Sequence, residues 1–147
     1  MLSQDFLCWL EQEFSYPIPE DYLSFLKKGD FASTWRKYYV ADEDRVLEIS
    51  DWFPSERIPE IYRNCRGERI IDCCHLPIFD SCGCAVALNC DPQSDAYGNV
   101  FLCEPAGTFD EESGQMGSPL TELVASGFTE IMDNLKTGEA LEEMGIF

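Results

Sequence analysis

Leu76-Pro-Ile-Phe-Asp-Ser-Cys-Gly-Cys-Ala-Val-Ala-Leu-Asn89, followed after a turn-rich stretch by Gly98-Asn-Val-Phe-Leu-Cys-Glu104, carries the topology of this chain. Ile70–Phe79, Cys84–Cys90 and Asn99–Cys103 are apolar or β-prone runs, bounded by turn formers at Asp80-Ser-Cys-Gly83, Asp91-Pro-Gln-Ser-Asp95 and Tyr97-Gly-Asn99. Short turns between such runs join antiparallel neighbours, so the centre reads as a β-meander. Cys84–Leu88 pairs with Asn99–Leu102 in this reading, and Asp91–Gly98 supplies a hairpin connection.

Helical signals lie upstream. Phe6, Leu7, Leu10 and Phe14 recur at helical spacing behind Ser3, an N-cap residue type, which predicts an amphipathic helix ending before Pro17. Pro19–Gly29 is punctuated at both ends: Pro19 opens it, Glu20 and Asp21 fill the first turn, and Tyr22, Leu23 and Leu26 form the apolar stripe. Lys27, Lys28 and Gly29 close it. Tyr38–Val40 and Arg45–Ile49 read as short strands around the acidic turn Ala41–Asp44, and alternation turns one of Tyr38 and Tyr39 inward. Pro59–Arg66 reads as a short helix stopped by Gly67.

Downstream of the meander, Glu104–Gly117 reads as an acidic loop and Leu120–Val124 as a turn behind Pro119. Phe128, Ile131, Met132 and Leu135 fall at helical spacing, with Ser126 as the expected N-cap and Lys136 and Gly138 as the close. The expectation is α+β: one domain over residues 1–147, with a central, mostly antiparallel sheet and helices from both chain ends packed against it.

Composition narrows the function. Hydrophobic residues make up 45% of the 147, enough to repay the entropy of ordering the chain. Ten Lys and Arg against 28 Asp and Glu give a net charge of -18, a surface that repels phosphate backbones and anionic lipid. Nucleic acid and membrane are therefore not the expected partners. The charge is uneven: from Ile70 to Phe147 a single basic residue, Lys136, faces fourteen acidic ones. The first residues carry Asp5, Glu11 and Glu13 where a secretory signal would be apolar, so a cytoplasmic location is expected. In that reducing compartment the eight cysteines read as free thiols.

The helix Ile18-Pro-Glu-Asp-Tyr-Leu-Ser-Phe-Leu-Lys-Lys-Gly29, the strand pair quoted first, and Ala125-Ser-Gly-Phe-Thr-Glu-Ile-Met-Asp-Asn-Leu135 together resemble the SUKH superfamily, and within it the Smi/Knr family. The resemblance runs over about residues 18–135, in the family's order. It implies a mixed sheet with helices on one side and a non-catalytic module that binds another protein. The implied role is that of a bacterial immunity protein neutralising a cognate polymorphic toxin; the alternative is a regulator of cell-wall synthesis acting through protein partners.

A basic toxin domain such as a nuclease would meet complementary charge here. Asp91, Asp95, Glu104, Asp110, Glu111 and Glu112 stand in loop-like stretches without intervening Lys or Arg, and are the expected partner-binding acids. Trp35 and Tyr38, aromatic residues of a kind favoured as interface anchors, complete the expected surface. Two other chemistries have weaker support in the sequence. Zinc would draw on Cys73, His75, Cys82 and Cys84, but no C-x-x-C pair occurs. Catalysis would depend on His75, the only histidine, within an apolar run that suits a structural role, and no glycine pattern matches a phosphate-binding loop. Neither a metal, a cofactor nor a catalytic residue is expected.

Overall fold

In a computed structural model, every residue is described except 1, 30, 32–36, 43–44, 105–108, 111–114, 117–119 and 147. The elements are α1 (Gln4–Trp9) running into a π-helix (Leu10–Phe14), α2 (Glu20–Lys28), β1 (Lys37–Asp42), β2 (Arg45–Glu48), β3 (Asp51–Trp52) and α3 (Ile58–Gly67). There follow β4 (His75–Ser81), β5 (Cys84–Asn89), β6 (Val100–Glu104), β7 (Phe109–Asp110), β8 (Gln115–Met116) and β9 (Leu120–Ala125). The chain closes with α4 (Phe128–Asp133), β10 (Leu135–Thr137) and α5 (Gly138–Glu143).

The meander forms as expected and becomes the middle of a five-stranded sheet of order β3-β4-β5-β6-β9. Ala85, Val86, Ala87 and Leu88 pair antiparallel with Cys103, Leu102, Phe101 and Val100. The β4–β5 turn is the two-residue pair Cys82 (φ 51) and Gly83 (φ 89), both left-handed, the backbone twist that a tight hairpin requires. A second sheet of order β10-β1-β2 stands beside the first, and β7 pairs with β8. All strand pairs described are antiparallel, rather than mixed.

Helices cover both faces of the large sheet, not one. Phe79 packs against Trp52 with the rings tilted and their centroids 4.9 Å apart, and Trp52 meets Phe25 of α2 and Phe128 of α4. Phe79 lies opposite Val86, whereas Cys103 lies opposite Ala85, one residue along β5 and therefore on the other face. There burial, with Cys65 of α3 nearby, raises the Cys103 thiol pKa, and α1 packs on α3 through Trp9 and Tyr62 at 5.1 Å.

Local chemistry explains most of the boundaries. Ser3 Oγ accepts from the Phe6 N–H at 3.1 Å and starts α1. The π turn that follows brings Trp9 and Phe14, five residues apart, into a stack at 4.9 Å, a spacing that α-helical turns do not bring together. Gly29 (φ 67) caps α2.

Five expectations need correction. Gly67 is the last helical residue of α3, and the left-handed position beyond it is Arg69 (φ 59). Ile70–Cys74 is not strand: the chain turns there, with the Asp72 N–H bonded to His75 Nδ1 and the His75 N–H to the Asp72 carbonyl. Glu104 ends β6, and the stretch after it contains the pair β7–β8 instead of being all loop. Leu120–Val124 lies in edge strand β9, paired with β6 from Val100↔Ala125 to Glu104↔Leu120. The last helix stops at Asp133, so Leu135 and Lys136 extend as β10 against β1, and Thr137 then caps a further helix, α5. Leu135 keeps its place against the core in either conformation, so its apolar spacing did not discriminate between them.

Candidate functional site: an acid-rimmed cleft between two sheets

The small sheet is fastened to the free edge of the large one. Tyr39, buried on β1, donates through its hydroxyl to the Val124 carbonyl at 2.9 Å, and Arg45 Nη1 donates to the Leu123 carbonyl at 2.7 Å. Arg45 also pairs with Glu122. Edge carbonyls of β9 are thereby satisfied by side chains rather than by a further strand. Tyr38, the neighbour of Tyr39, points the other way, as strand alternation requires.

Where β2 meets the β4–β5–β6 end of the large sheet, a cleft of about 330 Å³ opens, lined by Tyr38, Val46, Leu47, Glu48, Ser81, Cys82, Cys84 and Leu102. Its floor is chiefly apolar. A depression of about 90 Å³, lined by Leu102, Glu104, Thr121 and Glu122, adjoins it across Leu102. One wall is braced: the Cys82 N–H donates to Ser50 Oγ at 3.0 Å, and the Cys82 thiol donates to Glu48 Oε2 at 3.4 Å. The Glu48 carboxylate raises the Cys82 thiol pKa above its ordinary value, which keeps the sulfur protonated and a poor nucleophile.

The expected partner-binding residues separate. Tyr38 and Glu104 belong to this cleft and its margin. Asp91 and Asp95 lie past the opposite end of β5, roughly 20 Å away at 3.3 Å per strand residue. Asp110 falls in β7, whereas Trp35, Glu111 and Glu112 lie outside the described residues. Glu48, Glu122 and Leu102 escaped the sequence reading because strands remote in the chain bring them together. Val46 and Glu48, two residues apart on β2, share a face by strand alternation, and both line the cleft.

The zinc set is likewise divided. Cys73 and His75 stand at one end of the seven-residue strand β4, and Cys82 and Cys84 at the other. Among the described residues, no group of three or more His, Cys, Asp or Glu side chains is placed to hold a metal ion. All eight cysteines are free.

His75 is buried, its Nδ1 accepting the Asp72 N–H at 3.0 Å and its ring 6.0 Å from that of Phe101. Burial lowers its pKa below the ordinary 6.5, because the apolar surroundings disfavour the charged ring. The folded chain thus binds this proton less readily than the unfolded chain. Its contribution to stability is complete above pH 6.5 and lost as pH falls through the folded-state value. Urea midpoints taken from about pH 7 down to pH 5 should fall, and His75→Gln should flatten that part of the profile. An identical profile in the variant would show that carboxylates alone cause the loss.

A second acidic groove, of about 420 Å³, runs between α1 and α3. Asp5, Glu13, Glu56 and Glu60 line it with Arg63, whose Nε donates to both oxygens of Glu13 at 3.0 and 3.1 Å. That pairing holds Glu13 below the usual carboxylate range. The groove lacks the apolar floor of the first cleft.

The described residues form an α+β domain whose two larger sheets meet at a chiefly apolar surface cleft with acidic side chains at its margin. The chain belongs to the SMI1/KNR4 family (SUKH-1), which it matches over residues 1–134. Members of this family are in general non-catalytic binding modules, known for binding partner proteins. No curated protein matches the chain. No helix among the described residues is long and apolar enough to cross a membrane.

Proposed function

We propose that this protein is a cytoplasmic immunity protein that neutralises a cognate polymorphic toxin by binding a basic surface of it directly. One observation carries the reading: an apolar cleft rimmed by Glu48, Glu104 and Glu122, on a chain with net charge -18. Apolar floors with charged rims are the usual anatomy of a protein interface, and a negative field speeds encounter with a cationic partner. A nuclease toxin must hold phosphates, so its working face supplies that positive charge. Family membership supports a binding role of this kind. Asp110, Glu111, Glu112 and Trp35 are proposed as further partner-binding residues, on their charge and aromatic character in the sequence alone.

The test is a pull-down with the full chain against the products of the neighbouring genes, followed by a toxicity assay with and without it. Capture and neutralisation of a toxic, basic domain are expected. Capture of a wall-synthesis protein would move the reading to regulation, and turnover of a substrate by the isolated protein would end it.

A further inference from the structure

The cleft is too mixed in character to be only an acidic patch. Tyr38, Val46 and Leu102 offer aliphatic and ring surface, while Glu48 stands on one side of Leu102 and Glu104 on the other. A side chain that fits both must have a long apolar stem and a cationic head. Lysine and arginine share that plan, but their heads differ. An ammonium is a strongly hydrated point charge, whereas guanidinium is planar, weakly hydrated, stacks on aromatic faces and bridges two carboxylates.

The cations already nearby are engaged or set to one side. Arg45 is bonded to Glu122 and to the Leu123 carbonyl, and Lys136 lies across Tyr38 from Glu48 in the strand register. Among the described residues, Glu48 accepts only the weak thiol donor of Cys82 and keeps capacity for a stronger one.

The geometry points to an arginine side chain of the partner protein as the occupant of this cleft, its stem against Leu102 and Val46, its guanidinium between Glu48 and Glu104 and over the Tyr38 ring. This rests on the binding reading above and adds the chemistry of the anchor. It also explains why an interface of a very acidic protein would keep an apolar floor: the stem of arginine gains from burial while its head stays at the rim.

The probe is N-acetyl-arginine amide, titrated into the full chain at about 150 mM salt, where diffuse attraction is screened beyond about 8 Å. Saturable shifts of the Val46, Leu47 and Leu102 methyl resonances are expected. The neutral citrulline analogue should leave them in place, and N-acetyl-lysine amide should bind more weakly. Replacing both exposed carboxylates (Glu48→Gln with Glu104→Gln) should weaken binding about five- to tenfold, since each exposed ion pair is worth a fraction of a kcal/mol to about 1 kcal/mol. Asp91→Asn with Asp95→Asn should change nothing.

Equal binding of the citrulline analogue would overturn the inference. So would the absence of saturable shifts, or shifts centred on the Asp5–Arg63 groove. A basic partner captured in the pull-down alongside any of these results would leave the binding function standing and remove only the arginine anchor.

Discussion

Phe79→Ala should bring this protein close to unfolding. The ring is fully buried in the second strand of the large sheet, 4.9 Å from Trp52, which in turn packs on Phe25 and Phe128 from two helices. Removing it takes away a buried aromatic surface and leaves a cavity that β3, α2 and α4 cannot close without moving together. The expected loss is about 3–5 kcal/mol, against a total stability of about 5–15 kcal/mol for a domain of ordinary size. In urea the midpoint should drop by roughly 1–5 M, given slopes of about 1–3 kcal/mol per molar. Leu123→Ala is the control: Leu123 is 51% exposed on edge strand β9, and its truncation should cost under about 1 kcal/mol. Similar losses in the two variants would mean that the aromatic cluster is not the keystone of the core.

Charge reversal at the cleft should have the second large effect, and on rate rather than on stability. Glu48 and Glu104 are exposed, so Glu48→Lys with Glu104→Lys should fold as the parent does. Association with a captured basic partner should slow by about tenfold or more at low salt, and the difference should shrink as salt rises, because screening removes the steering field. Asp91→Lys with Asp95→Lys makes the same change in net charge at the far end of β5. It should slow association by less than about threefold, since only the general field is altered. If the two pairs behaved alike, the partner would feel only the overall charge, and the cleft would lose its role as the contact face.

Much of the architecture was legible because local signals agreed with the tertiary outcome. Ser3, Pro19 and Gly29 act at helix ends through bonds and dihedrals within a few residues, and the turn Cys82-Gly83 needs only left-handed backbone. The pairing of β5 with β6 follows from two apolar runs on either side of a turn-rich stretch. Leu135 shows where local signals failed. Its spacing from Phe128 and Ile131 fits a helix, yet β1 offers an unpaired edge there, and hydrogen bonds to that edge carry Leu135–Thr137 into β10. Leu120–Val124 failed for a related reason: β9 is an edge strand whose outer carbonyls are met by Tyr39 and Arg45, so its side chains need not alternate in burial.

The candidate site divides along the same line. Sequence by itself determined the α+β class, the antiparallel meander, the family and the excess of negative charge, because caps, turns, apolar periods and charge counts are local or additive quantities. Only the tertiary structure determined that Tyr38, Glu48 and Leu102 line one cleft, with Glu104 and Glu122 in the depression that adjoins it across Leu102, while Asp91 and Asp95 stand at the other end of β5. Strand register and the docking of one sheet on another set those distances. Both depend on contacts between residues far apart in the chain, which no local pattern encodes.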